Sequence, residues 1–169
     1  MIEVLRNLFV GSEADEVAIR HQAGWFVVHA CKEPYHRQAL GYKGRGAPKE
    51  HPEYLIAARP GRLILNLVDA NDVAYIPPEI IDAALEVIHA NISTSKVLVH
   101  CNHGFSRSPS IALLYMARHT DRFRAMDAAA AVVEFRRIYP DYAPALGMAD
   151  YVRLNWQKYA GQGRRSAPS

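Results

Sequence analysis

Apolar and polar positions alternate in blocks along the chain. Two short extended pieces, Met1–Leu5 and Leu8–Val10, are closed by Gly11. Ser12 stands three residues before Asp15, a reciprocal capping pair that starts a helix, expected to reach about Gln22 before Gly24 ends it. The continuous apolar run Trp25–Val28 then has the texture of a strand buried on both faces. A second such run spans Leu63–Leu67 and a third Val97–Val99, with a polar turn at Asp69–Asp72 between them. Pro77 and Pro78 suit a helix's first turn, and Ile80, Ile81, Ala84, Leu85 and Ile88 form an amphipathic stripe behind them. Further helices are expected over Ser110–Arg118, Ala125–Ile138 and about Leu146–Tyr159. Strands alternating with helices predict an α/β domain: a central, mostly parallel sheet of about four to five strands, flanked by helices.

The expected organisation is a single domain over residues 1–160, with a disordered tail at 161–169. One stretch departs from the pattern. From about 31 to 62, glycine and proline recur, so this is expected to be largely loop, with a helical turn around Glu53–Ala58. It carries seven Lys and Arg residues against three Glu, an excess of four, whereas the whole 169-residue chain nets +3. Loops this long are usually functional or mobile.

Half the residues are hydrophobic and 22% are charged, which argues against general disorder. No apolar run approaches membrane-spanning length and no secretory leader is read, so the expected compartment is the cytoplasm. The positive excess is too small to argue for a nucleic-acid coat, and a nucleic-acid partner is not favoured. Two cysteines 70 positions apart, Cys31 and Cys101, fit a reducing compartment better than a structural disulfide. The eight histidines are scattered without zinc-site spacing; no metal and no cofactor is called for. The oligomeric state is not legible.

Chemistry concentrates in His100-Cys101-Asn102-His103-Gly104-Phe105-Ser106-Arg107-Ser108, between a buried strand and a helix. Such a junction gathers backbone N–H groups at a helix N-terminus, an anion cradle. Gly104 permits a tight turn, and Arg107 can grip phosphate oxygens with two prongs. A cysteine at the head of this cradle is favoured as thiolate and is placed for in-line attack on phosphorus, giving a cysteinyl-phosphate. The N–H groups of residues 102–106 and Arg107 would stabilise charge on the phosphoryl oxygens, and Ser108 would hydrogen-bond the sulfur as leaving group.

This segment resembles the Cys-x5-Arg signature of the protein tyrosine phosphatase superfamily, in the form of its compact dual-specificity members. Leu8-Phe9-Val10-Gly11-Ser12, Val97-Leu98-Val99-His100-Cys101 and Ser106-Arg107-Ser108-Pro109-Ser110 carry the likeness. It spans roughly residues 1–30 and 62–158; the 31–61 stretch is longer than compact members have there. The resemblance implies a loop-ordering role for His100 and a general-acid aspartate some thirty residues before the nucleophile. Asp72, 29 residues upstream, is favoured; Asp69, 32 upstream, is the alternative. Phosphoinositide-type members carry a cysteine near the nucleophile at a similar strand end, which makes Cys31 a candidate redox partner of Cys101. Lys32, Arg37, Lys43 and Arg45, with Tyr35, Tyr42 and Tyr54 among them, are candidates for a substrate rim. The implied activity is hydrolysis of phosphate monoesters, foremost on protein phosphotyrosine and then on phosphoserine or phosphothreonine. The same chemistry on phosphoinositide, nucleotide or RNA 5′-phosphate, and a phospho-binding module without turnover, stay open.

Overall fold

The computed structural model describes residues 1–161; the expected disordered tail lies, from 162 onward, outside the described residues. Six strands form one sheet in the order β1-β2-β6-β3-β5-β4. They are β1 (Ile2–Leu5), β2 (Leu8–Gly11), β3 (Trp25–His29), β4 (Ile56–Arg59), β5 (Arg62–Leu65) and β6 (Lys96–His100). The central pairings β2–β6, β6–β3 and β3–β5 are parallel, and an antiparallel strand closes each edge. The strand total exceeds the four to five expected through β4, which pairs antiparallel with β5 at one edge.

The helices are α1 (Glu13–Ile19), α2 (Arg37–Leu40), α3 (Pro78–Asn91), α4 (Arg107–His119), α5 (Ala128–Ile138) and α6 (Leu146–Ala160). At α1, the Ser12 side chain is paired with the N3 amide and the Asp15 carboxylate with the Ser12 amide, the reciprocal cap expected. That helix stops at Ile19, short of Gln22. The α3 stripe Ile80, Ile81, Ala84, Leu85 and Ile88 is wholly buried. Helix α4 is buried along nearly its full length against both the sheet and α6, its polar first turn included.

Two features of the 31–62 stretch differ from expectation. Glu53–Ala58 is not a helical turn: Ile56–Arg59 pairs antiparallel with β5. Pro60-Gly61 makes the reversal, Gly61 adopting φ +73°, and the apolar positions on either side then match across a hairpin. Its first third is helical rather than loop: a tight turn over Lys32–His36 runs into α2, ended by Gly41 at φ +73°.

Strands β2, β6, β3 and β5 run the same way, so their C-terminal ends deliver Gly11, Cys101, Cys31 and Leu67 to one edge of the sheet. Open parallel sheets gather ligands at that edge.

Candidate active site

Residues 101–106 connect β6 to α4 and wrap a tight loop around the helix start. Among the described residues, the backbone N–H groups of 102–107 donate to no protein acceptor, whereas the loop's carbonyls are tied down. Asn102 O accepts from Glu13 N at 3.3 Å, Phe105 O from Ala143 N at 2.9 Å, and Gly104 O from the Tyr139 hydroxyl at 3.0 Å. Satisfied carbonyls and unpaired amides make a net donor surface. Gly104 sits at φ +79°, and a Cβ there would lie 3.1 Å from both the Gly11 backbone and the Tyr139 hydroxyl. No larger residue fits without moving the loop.

Cys101 is buried, its thiol accepting a hydrogen bond from Ser108 Oγ at 3.3 Å. The same Ser108 oxygen lies 3.2 Å from the Gly11 carbonyl, a contact that competes for its single proton. Arg107 is 93% buried by area, being only 7% exposed. Its Nη1 donates to Leu67 O at 3.1 Å and its Nη2 to Asn102 Oδ1 at 2.8 Å, while Nε is buried without a hydrogen-bond partner. An unpaired buried guanidinium N–H is costly unless an anion completes it. Cys101 and Arg107 line one cavity of about 220 Å³ together with Asp69, His103, Phe105, Ser106 and the wall Ala143-Pro144-Ala145.

The two candidate acids part here. Asp69 stands at the cavity mouth: its Oδ1 accepts from Ser106 Oγ at 2.7 Å and its Oδ2 is 3.9 Å from Arg107 Nε. Asp72, favoured on spacing, does not line the cavity; its carboxylate accepts from Ala74 N at 2.8 Å and caps the short helix Val73–Tyr75. Spacing along an irregular loop does not say which carboxylate the loop turns inward.

Asn102 does more than supply an amide, because its Nδ2 also donates to Glu33 O at 2.9 Å and so ties the cradle to the basic stretch. His103 and Phe105 are exposed, their rings loosely stacked at 6.3 Å. None of the four expected rim cations lines the cavity. Arg37 is occupied elsewhere: it pairs with Glu33 at 2.7 Å, donates to the carbonyls of Tyr42 and Gly44, and lies over the Tyr42 ring. Lys32 bonds the Arg45 carbonyl at 2.5 Å, which leaves Lys43 and Arg45 as the exposed pair of the four.

Cys31 is a buried free thiol whose ionisation is pushed up to about 12, chiefly by burial, with the Cys101 charge adding and Arg107 opposing. His100 is fully buried and faces His29 across a 2.7 Å contact between His29 Nδ1 and His100 Nε2. Burial lowers the basicity of both rings. Several contributors escaped the sequence reading: Gly11, the 143–145 wall, Tyr139 and His29. Only the Pro140 to Pro144 spacing, a loop after a helix, hinted at the wall. A larger groove of about 710 Å³ between the ends of α4 and α6 shares no residue with this cavity and holds no cysteine.

No protein-family model matches the chain, and no curated protein does. Solved structures do. The human tyrosine phosphatase-like serine/threonine/tyrosine-interacting protein is 18% identical with a TM-score of 0.61, the match covering 94% of this chain and 97% of that one. DUSP15 is 15% identical with a TM-score of 0.61, covering 98% and 96%. The Yvh1 phosphatase domain from Chaetomium thermophilum is 20% identical with a TM-score of 0.58, covering 95% and 96%. The chain therefore has the fold that these phosphatase and phosphatase-like structures share.

Proposed function

We propose that the protein is a cysteine-dependent phosphatase that hydrolyses phosphate monoesters, with protein phosphotyrosine as its first substrate class and phosphoserine or phosphothreonine as its second. One observation carries the reading: the Cys101 thiol, held by Ser108, shares a cavity with a buried Arg107 whose Nε makes no hydrogen bond. Phosphate in that cavity would complete the guanidinium and meet the free amides of 102–107. The Cys101 sulfur attacks phosphorus as the ester oxygen departs, forming the S–P bond and breaking the P–O bond. Asp69, at the mouth, hands its proton to the leaving oxygen, then takes one from the water that cleaves the cysteinyl-phosphate. Ser108 hydrogen-bonds the sulfur as it is expelled.

Phosphate release from p-nitrophenyl phosphate, blocked by vanadate and lost by about 10⁴-fold or more in Cys101→Ser, is the expected result. Tight capture of a phosphopeptide without turnover would instead make the chain a binding module. Exposed Lys43 and Arg45 favour a second reading, the same chemistry on a more anionic phosphate such as a phosphoinositide, a nucleotide or an RNA 5′-end. Side-by-side rates on a phosphotyrosine peptide and these phosphates choose between the readings. No described helix is long and apolar enough to cross a membrane, and a cytoplasmic site of action is part of this proposal.

Cys31 enters as a redox partner of Cys101. The oxidised Cys101 sulfenic acid would condense with the Cys31 thiol, releasing water and forming the disulfide. Peptide mapping after peroxide treatment is expected to find the linked pair. Cys101 found only as sulfinic acid would reject this, leaving Cys31 as a buried apolar side chain, the role its raised ionisation favours.

A further inference from the structure

The Arg107 guanidinium is held in a frame of neutral oxygens. Its two hydrogen-bonded acceptors are the Leu67 carbonyl, 3.1 Å from Nη1, and Asn102 Oδ1, 2.8 Å from Nη2. Asp69, the one carboxylate within reach among the described residues, stays 3.9 Å from Nε. A carboxylate bonded at either Nη would fix the same geometry, but it would cancel the charge and compete with an incoming anion. Amide oxygens fix the geometry and leave the charge in place.

Each acceptor is gripped in turn by the start of the 31–62 stretch. Lys32 N donates to the Leu67 carbonyl at 3.0 Å, and Asn102 Nδ2 donates to the Glu33 carbonyl at 2.9 Å. The Asn102 amide can be oriented only one way here, since a guanidinium only donates and a peptide carbonyl only accepts. Lys32 and Glu33 open the Lys32–His36 turn. Arg37 braces that turn, its Nε and Nη2 donating to the Glu33 carboxylate at 2.8 and 2.7 Å. Both ends of the guanidinium therefore lead, through one intermediary each, to two consecutive residues of a segment that contributes nothing to the cavity lining.

We propose that Asn102 is a positioning residue for Arg107 and that, through it and the Leu67 carbonyl, the Lys32–His36 turn sets the affinity of the cavity for a tetrahedral oxyanion. The inference deepens the phosphatase reading, on which the purpose of that affinity rests. Its consequence is regulatory. A partner that pulls the turn away loosens the anion, and because coupling is reciprocal a bound anion tightens the turn by the same factor.

Inorganic phosphate is the probe, its affinity read as protection of the Cys101 peptide from iodoacetamide, which needs no turnover. Asn102→Ala is expected to raise the dissociation constant about tenfold, the loss of one hydrogen bond to a charged group. Asn102→Asp, which keeps the acceptor, is expected to raise it about a hundredfold, because its carboxylate cancels the guanidinium. In an Arg107→Lys background Asn102→Ala is expected to add less than about twofold, since its effect runs through the guanidinium. An unmoved affinity in folded Asn102→Ala overturns the proposal, and so does a tenfold loss that persists in the Arg107→Lys background, the mark of a mere loop brace. Should Asn102→Ala not fold, hydrogen exchange of the unaltered protein decides. Saturating phosphate is expected to slow exchange in the Lys32–His36 turn about tenfold, and unchanged exchange overturns the coupling. These affinity changes in a protein without turnover would sink the phosphatase reading and leave the positioning role standing. Turnover with an unmoved phosphate affinity in Asn102→Ala removes the positioning role alone, and a cavity that takes up no phosphate removes both.

Discussion

The loop that carries Cys101 and the loop that carries Asp69 lie side by side, yet they are built on opposite principles. The first leaves a central strand, enters a buried helix within six residues, and has its carbonyls anchored by Glu13, Ala143 and Tyr139. Its course is announced locally, by a strand end, a glycine with positive φ and a helix start, and is then held by those distant partners. The second runs from Leu65 through exposed Asp69 and Asn71 to α3 with one short helical turn, and its position is borrowed from α6. Gly147 donates to the Ala70 carbonyl at 3.1 Å, and a Cβ on Gly147 would collide with that oxygen and crowd the Asp72 backbone. In the proposed reaction the nucleophile needs a rigid, desolvated seat, whereas the acid, which would exchange protons with water, suits a solvent-facing loop held from outside.

The sharpest way to break this comparison is to interchange the loop's carboxylates. Asp69→Asn is expected to slow hydrolysis of an alkyl phosphate by about 10²- to 10³-fold and of p-nitrophenyl phosphate far less, because nitrophenolate leaves unaided. Asp72→Asn should change either rate by less than about twofold. Equal losses on both leaving groups would remove Asp69 from the acid role.

The buried half predicts an asymmetric response to pH. His29 and His100 are held below the usual 6.5, first by burial, so the unfolded chain binds protons there that the folded one refuses. Stability is therefore complete above about pH 6.5 and lost as pH falls below it, by about 2.7 kcal/mol per pH unit for two groups. Urea titrations at pH 7.5, 6 and 5 measure this slope. A flat profile would mean that the pair is hydrated and that the seat is not dry.

Smaller effects probe the docking of the acid loop and the excursion. Gly147→Ala is expected to reduce kcat on the alkyl phosphate about tenfold by displacing Asp69, with the Cys101 alkylation rate unchanged. If both fall together, the loops are not independent. Lys43→Ala with Arg45→Ala should raise KM for a phosphopeptide by only about two- to threefold at low salt, and by nothing at high salt, since exposed charges are screened.

What the sequence by itself determined is whatever follows from neighbours along the chain. Buried strands read as apolar runs, α1 is announced by Ser12 and Asp15, α3 by its prolines and stripe, and the cradle by Cys101, Gly104 and Arg107 between strand and helix. Each depends on contacts within a few residues, where φ/ψ preferences and periodicity act. Tertiary structure alone decided the rest. Asp69 faces the cavity and Asp72 does not, because α6, some 75 residues later, grips the Ala70 carbonyl. His29 meets His100 because β3 and β6 happen to be adjacent and parallel, and no spacing along the chain encodes which strands become neighbours.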